Sequence, residues 1–154
     1  MNICAATMVR TDRPYEVKEW VNYHKLLGVN KFYIYDDFST VDLKPVFPDN
    51  TKWFPAKEEK KFVQFKLFEK FMKAAKEDDI DWLILTDVDE YIIITDEPDL
   101  ISYLQKMEKY TAIEIQMRNY SPIGCLDNYN PNVSIFDSFP LYYKSSRLVK
   151  TMLI

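Results

Sequence analysis

Two carboxylates, Asp87 and Asp89, stand one residue apart directly after an apolar run of strand length, Trp82 to Thr86. In an extended segment, side chains two residues apart point the same way, so we expect both carboxylates to face one side while Val88 faces the core. Mg²⁺ and Mn²⁺ in phosphate-handling sites are usually held by one or two carboxylates plus substrate phosphates. The spacing therefore predicts a site for Mn²⁺ or Mg²⁺ that would screen a diphosphate leaving group. The alternative is a solvated acidic turn without a ligand.

A second acidic pair, Asp36 and Asp37, follows the aromatic and β-branched run Lys31 to Tyr35. Carboxylate oxygens accept hydrogen bonds, so these two residues could bind a base imide and a ribose hydroxyl, and Ser39 could add a donor. Asp and Ser in a turn are more often turn formers than ligands. Taken alone, this pair favours a structural role. A binding role is considered because the chain also contains the first acidic pair.

The elements that must position both pairs alternate between strands and helices. Apolar periodicity and turn residues predict strands at Ile3 to Val9, Lys31 to Tyr35, Lys52 to Phe54, Trp82 to Thr86, Tyr91 to Ile94, Ala112 to Met117 and Leu148 to Ile154. They predict helices from Tyr15 to a stop at Gly28, from Glu58 to Glu77 through Phe65, Phe68 and Met72, and from Pro98 to Tyr110. Such alternation predicts an α/β fold, whose ligands bind beyond the carboxyl ends of the strands. Both acidic pairs would lie at that edge.

Composition and charge exclude several functional classes. A net charge of -4 with a pI near 5.1 argues against a nucleic-acid-binding surface. Two glycines are too few for a glycine-rich phosphate loop, and two cysteines, Cys4 and Cys125, are too few for a disulfide scaffold. No apolar run approaches the roughly 20 residues that cross a bilayer, and the start has no signal-peptide pattern. We expect a soluble, cytoplasmic protein without a membrane span. The only histidine, His24, is expected to be a packed residue of the first helix.

Four segments in this order resemble glycosyltransferases of the GT-A fold, specifically the family 2-like and family 92-like groups. They are the Arg10-Thr11-Asp12 turn with the following Glu19 to His24, the segment Gly28 to Thr40, Gln64, and the segment Asp81 to Tyr91 with its Asp-x-Asp motif. The resemblance covers residues 3 to 94 well and the remainder loosely. It implies a Rossmann-like α/β/α sandwich with a mixed, mostly parallel sheet.

The resemblance also implies roles for individual residues. Asp36 would contact a uracil-type base, and Asp12 and Asp37 would line the nucleoside pocket. Asp89 would bind the metal directly, while Asp87 would assist through ribose or water. Arg10, Ser39 and Gln64 would complete the nucleotide-sugar site, whereas Glu90 is adjacent and stays outside the metal set.

A single domain over residues 1–154 is expected, with a nucleotide-sugar and metal-binding half at 1–94 and a partial acceptor-side half at 95–154. Domains of these families normally run well beyond this length, so the chain is expected to be a fragment, a domain of a longer protein or a reduced family member. They also supply a late carboxylate base, for which Asp127 is the nearest candidate here. The loops from Arg118 to Asn132, rich in Tyr and Asn, would shape the acceptor side.

The expected activity is metal-dependent transfer of a sugar from a nucleoside diphosphate sugar, with UDP-sugar favoured, to a hydroxyl of a glycan or other acceptor, with inversion. Two alternatives remain. One is a module that binds nucleotide-sugar or glycan without catalysis. The other is a haloacid dehalogenase-type phosphatase, which also places Asp-x-Asp after an apolar strand but near the N-terminus and with Thr or Val where this chain has Tyr91.

Overall fold

The computed structural model of the protein describes residues 1–56, 64–121, 133–139 and 141–153. The strands are β1 (Ile3–Val9), β2 (Lys31–Asp36), β3 (Lys52–Pro55), β4 (Trp82–Leu85), β5 (Ala112–Ser121) and β6 (Leu141–Leu153). The helices are α1 (Pro14–Leu26), α2 (Gln64–Glu77), α3 (Leu100–Met107) and the short α4 (Ile135–Ser138), with a 3₁₀ turn at Lys44–Val46. The protein is therefore an α/β protein, as the sequence predicts.

The strands form one sheet in the order β3-β2-β1-β4-β6-β5. The first four strands in this order are parallel, with Val9 of β1 opposite Asp36 of β2 and Ala6 of β1 opposite Leu85 of β4. β6 runs antiparallel to β4, with Leu153 opposite Leu83. The sheet is thus mixed: it is parallel from β3 to β4 and antiparallel between β4 and β6, and β1 has a parallel neighbour on each side.

The two faces of the parallel strands are covered by different helices. Alternate residues of β1, β2 and β4 pack with the apolar side of α2, in a buried cluster made of Cys4, Ala6, Tyr33, Tyr35, Leu67, Phe71, Ala74, Ala75, Leu83 and Leu85. On the opposite face, the Trp20 ring of α1 contacts Phe32 of β2 at a centroid distance of 5.8 Å. Successive side chains of a strand point to opposite faces. Helices α1 and α2 therefore lie on opposite sides of the sheet.

Helix α3 lies on the α1 side. A Cβ placed on Gly28, which follows α1, would come within 3.1 Å of the Ile101 side chain of α3. Gly28 has a φ of 101°, which glycine adopts without the steric cost that a side chain brings. Asp99 caps α3, because its carboxylate accepts the Ser102 N–H at 2.7 Å. Gly28 therefore ends α1 and lets α3 approach the start of β2.

Two sequence-based expectations for these elements are wrong. Residues 91–94 do not form a strand: Ile92 is buried, Ile93 is 55% exposed, and the Tyr23 hydroxyl donates to the Ile92 carbonyl at 2.5 Å. The place beside β4 is occupied by β6, so the apolar run has no sheet edge to join. Met72, expected on the buried stripe of α2, is 43% exposed, because the helix buries Leu67 and Phe71 instead.

The chain consists of two compact units. The first contains residues Met1–Ile113 and Thr151–Ile154, and the second contains Glu114–Lys150. Both acidic pairs belong to the first unit, whereas the second contains most of β5 and β6 together with α4. Across the described ranges, no helix has the length and apolar character needed to cross a membrane.

Candidate functional site

The carboxyl edge of the parallel strands brings together the loops that carry the acidic residues. From β1 the chain moves through β2 to β3 on one side, and β4 then lies on the other side of β1. The strand order thus reverses between β1 and β4, and open α/β sheets bind ligands at such a reversal, outside the carboxyl ends. The loop after β1 carries Arg10 and Asp12, and the loop after β4 carries Asp87 and Asp89. Strand spacing places the ends of β2 and β4 roughly 10 Å apart, within the reach of one nucleotide.

The loops after β1 and β2 are tied to each other by backbone and side-chain hydrogen bonds. The Asp37 N–H donates to the Val9 carbonyl at 2.8 Å, which extends the pairing of the two strands. The Thr11 N–H donates to Ser39 Oγ at 3.1 Å. Arg10 Nη1 lies 3.9 Å from Asp37 Oδ2, and this ion pair is partly exposed. Three of the predicted nucleotide-binding residues, Arg10, Asp37 and Ser39, therefore lie in one connected structure.

Asp36 and Ser39 also form the turn that follows β2. Asp36 Oδ1 accepts the Ser39 N–H at 2.9 Å, so the turn-forming role that the sequence left open is present. A carboxylate has several acceptor positions and a hydroxyl keeps its own proton to donate, so this turn leaves both groups with capacity for a ligand. Phe38 within the turn has a φ of 60° and is 43% exposed. A bulky residue in this left-handed conformation is strained, and such residues concentrate at functional sites.

Asp87 to Glu90 form a tight turn and not the extended segment expected from sequence. The Glu90 N–H donates to the Asp87 carbonyl at 3.1 Å and closes the turn. Side chains alternate in extended chain only, so this turn removes the basis for expecting Asp87 and Asp89 to face one side. The turn is anchored to the sheet, because the Thr86 N–H donates to the Ala6 carbonyl of β1 at 3.2 Å. Both carboxylates remain on one short loop at the sheet edge.

The chemistry of this loop suits a hard divalent cation. Asp89 is exposed and Asp87 is half-buried, so the loop presents carboxylate oxygen on the solvent side of the sheet edge. Within the described ranges, no three acidic, His or Cys side chains are grouped as a ready-made metal cage. A site of the phosphate-handling kind needs only one or two carboxylates, because substrate phosphates and water supply the other oxygens. The residues present fit such a site.

Asp12, Gln64 and Asp127 are the remaining predicted residues. Asp12 is 76% exposed and lies 3.8 Å from Arg13 Nε. Gln64 begins α2, and its side chain lies outside the described part of the protein. Asp127, the candidate base, also lies outside the described residues. Their roles stay predictions.

The opposite edge of the sheet, where the strands begin, is held by a charged cluster. Asp78 Oδ2 lies 2.8 Å from Lys31 Nζ and accepts the Tyr33 hydroxyl at 2.6 Å, and Asp78 Oδ1 lies 3.2 Å from Lys52 Nζ. These partners, with the Lys31 bond the strongest influence, lower the pKa of Asp78 to about 2. Burial and the Asp78 bond raise the pKa of Tyr33.

Two open concavities also lie at that edge, of about 470 and 350 Å³. The smaller one is lined by Asn2, Asn30, Lys31, Asn50, Asp78 and Ile80. Its amides are engaged with backbone: Asn50 donates to the Asn30 carbonyl at 3.0 Å, and Asn30 accepts the Ile3 N–H at 3.1 Å. These contacts explain the polar lining as structural, so the carboxyl edge remains the candidate site.

His24 is a packed residue, as the sequence predicts. It is completely buried, its ring centroid lies 4.4 Å from that of Trp20, and Nδ1 lies 2.9 Å from the Trp20 carbonyl oxygen. Burial lowers the pKa of His24 to about 4. A neutral imidazole in the core has no part in the site.

Comparison with known proteins does not assign the chain to a family. No protein-family model matches the sequence, and a search of curated proteins found no match.

Glu90 and Thr86 stabilise the turn at Asp87, and neither role was predicted from the sequence. Glu90 Oε2 accepts the Asp87 N–H at 2.9 Å and the Thr86 hydroxyl at 3.2 Å. An acidic side chain that returns to a backbone N–H three residues earlier is a known feature of helix starts, where Glu follows a capping residue at this spacing. The Asp-x-x-Glu spacing of residues 87–90 was the signal that could have identified this contact.

Proposed function

We propose that this chain is the nucleotide-sugar-binding part of a metal-dependent glycosyltransferase of the GT-A fold. It would bind a UDP-sugar and transfer the sugar to a hydroxyl of a glycan acceptor. The observation that carries the proposal is the placement of the Asp87 to Asp89 loop at the carboxyl end of β4, beside the reversal of strand order next to β1. The sequence resemblance of residues 3 to 94 to the family 2-like and family 92-like groups points the same way.

The nucleoside would lie over the loops after β1 and β2. Asp36 and Asp37 at the end of β2 offer carboxylate acceptors for a base imide and ribose hydroxyls. Arg10, paired with Asp37 at 3.9 Å, places a guanidinium at the same edge, where it would meet the negative charge of a diphosphate. Ser39, through its bond to Thr11, holds the two loops together.

Asp87 and Asp89 would hold Mn²⁺ or Mg²⁺ together with diphosphate oxygens, and the cation would supply neutralisation of the charge that develops on the leaving diphosphate. The chain's own contribution is a loop fixed in advance to β1 through the Thr86 to Ala6 bond. Preorganised charge of this kind favours the transition state without a reorganisation cost. Inversion also needs a general base at the acceptor hydroxyl, for which Asp127 is the proposed residue.

The first test is calorimetric titration of UDP into the purified chain with Mn²⁺ and then with excess chelator. We expect binding that depends on Mn²⁺ and that weakens at least about tenfold in Asp89→Asn, because a metal ligand is lost. Asp49→Asn is the matched control, since it removes the same charge from the loop preceding β3, at the opposite edge of the sheet.

Loss of binding in Asp49→Asn as well would show a general charge effect and contradict the metal site. No UDP binding under any condition would exclude the uridine assignment. Release of UDP from a UDP-sugar in the presence of an acceptor then separates a transferase from a module that only binds nucleotide-sugar.

A further inference from the structure

Glu90 stands at the end of the proposed metal-binding turn, and its side chain folds back to the turn's beginning. One of its oxygens, Oε2, accepts the Asp87 N–H at 2.9 Å and the Thr86 hydroxyl at 3.2 Å. The Glu90 backbone N–H donates to the Asp87 carbonyl at 3.1 Å. Asp87 is therefore bound to Glu90 through both its N–H and its C=O.

We propose that Glu90 is a positioning residue that fixes the turn in the shape in which Asp87 and Asp89 bind the metal. This inference rests on the proposed function, which it deepens by assigning how the two carboxylates are held. A four-residue turn that is closed by one backbone hydrogen bond can adopt several conformations. A side chain that accepts the N–H at the start of the turn excludes many of them. Partners that orient metal ligands typically contribute 10–100-fold to metal affinity.

The Thr86 hydroxyl connects this arrangement to the sheet. Thr86 is 6% exposed, and its N–H donates to the Ala6 carbonyl of β1. Thr86 Oγ1 lies 3.2 Å from Glu90 Oε2 and 3.4 Å from the Asp87 carbonyl oxygen, so the hydroxyl proton has two acceptors within the turn. Thr86, which is buried and hydrogen-bonded to β1, therefore holds the Glu90 side chain in place.

The hydrogen bonds of the Glu90 carboxylate distinguish a positioning role from direct metal ligation. Its bonds to an N–H and a hydroxyl need an acceptor oxygen and no negative charge. Gln at this position retains such an oxygen, whereas Ala removes it. If Glu90 were a direct metal ligand, Glu90→Gln would remove its charge and weaken metal binding nearly as much as Glu90→Ala.

The experiment measures Mn²⁺ affinity by electron paramagnetic resonance for the wild type, Glu90→Gln and Glu90→Ala. We expect a wild-type-like dissociation constant for Glu90→Gln and one that is roughly 10–100-fold higher for Glu90→Ala. Equal weakening in the two variants would overturn the positioning role in favour of ligation. An unchanged Glu90→Ala would show that the turn does not need the side chain and would also overturn it.

A second measurement is independent of the metal. Amide hydrogen exchange of Asp87 in the metal-free protein should be slow in the wild type and in Glu90→Gln and faster in Glu90→Ala, because only Ala lacks the acceptor. Equal exchange in all three proteins would refute the positioning contact. If the wild type binds no Mn²⁺ while this exchange pattern holds, the metal site of the proposed function is wrong and the Glu90 contact stands as a structural one, which overturns its proposed purpose.

Discussion

Acidification should destabilise this protein through His24, which is completely buried and neutral in the folded state. The Trp20 carbonyl oxygen 2.9 Å from Nδ1 can only accept a hydrogen bond, so Nδ1 carries the proton. Nε2 is buried and has no hydrogen-bond partner among the described residues. A second proton on Nε2 would therefore place a charge in the core without an acceptor, and this burial lowers the pKa to about 4.

The size of the effect follows from the two pKa values. In the unfolded chain His24 binds its second proton near its ordinary pKa of 6.5, whereas burial lowers the pKa in the folded protein to about 4. Between these values the unfolded state holds more protons, so stability falls as the pH falls. The loss reaches about 2 kcal/mol at about pH 5 and about 3 kcal/mol below about pH 4, at 1.36 kcal/mol per pKa unit. That is a large share of the ~5–15 kcal/mol of a typical domain.

The assay is urea unfolding followed by tryptophan fluorescence at about pH 7 and about pH 5, for the wild type and His24→Leu. Leu fills a similar volume and does not titrate, so the wild type should lose about 2 kcal/mol more than the variant between the two conditions. Equal losses would refute the reasoning. Since His24 is the only histidine, its ring signals in nuclear magnetic resonance give the folded pKa directly and cover the case in which the variant does not fold. A midpoint near 6.5 would contradict burial as the cause.

Three further outcomes can be checked by the same unfolding assay. Phe71→Ala should cost about 3–5 kcal/mol, because Phe71 is completely buried and its removal leaves a cavity; a loss below about 1 kcal/mol would contradict the packing. Asp99→Ala should lower the stability through loss of the cap on the Ser102 N–H, while Asp99→Ser should keep most of the wild-type stability. Asp78→Asn should be less stable than the wild type at neutral pH by about 1 kcal/mol after solvent screening. That difference should vanish as the pH falls towards 2, where the Asp78 carboxylate bonded to Tyr33 becomes protonated; a difference that persists there would contradict it.

The parallel strands could be predicted from the sequence because each is a short apolar run bounded by polar turns. The predicted bounds of β1, Ile3 to Val9, agree with the structure, and β2 and β4 are also confirmed. The predicted strand at Tyr91 to Ile94 is wrong, and the local sequence pattern does not carry the information that would have shown it. Whether an apolar run becomes a strand depends on a vacant sheet edge, and β6, which comes much later in the chain, occupies the edge beside β4.

The place of the acidic residues at the sheet edge could be predicted from the sequence, but the shape of the second acidic loop was not predicted. Parallel strands end at one edge, so Asp36 at the end of β2 and Asp87 after β4 had to lie there, and both do. The turn at Asp87 did not follow from the hydrophobic pattern, because it is stabilised by the Glu90 side chain, a contact that only the Asp-x-x-Glu spacing signals. Patterns of hydrophobicity describe burial, whereas such a contact depends on individual hydrogen bonds.

The interior position of β1 has a consequence for how the protein is made. Ile3 pairs with Trp82, and the Asn2 N–H donates to Asp81 Oδ2 across 79 positions of sequence. At typical rates of synthesis, β1 leaves the ribosome roughly 4–16 s before β4 is available. β2 can protect one side of β1 early, but the other side presents unpaired backbone during this interval. We therefore expect aggregation of the nascent chain to be governed by the delay before β4 arrives, and slower translation between the two strands to increase it.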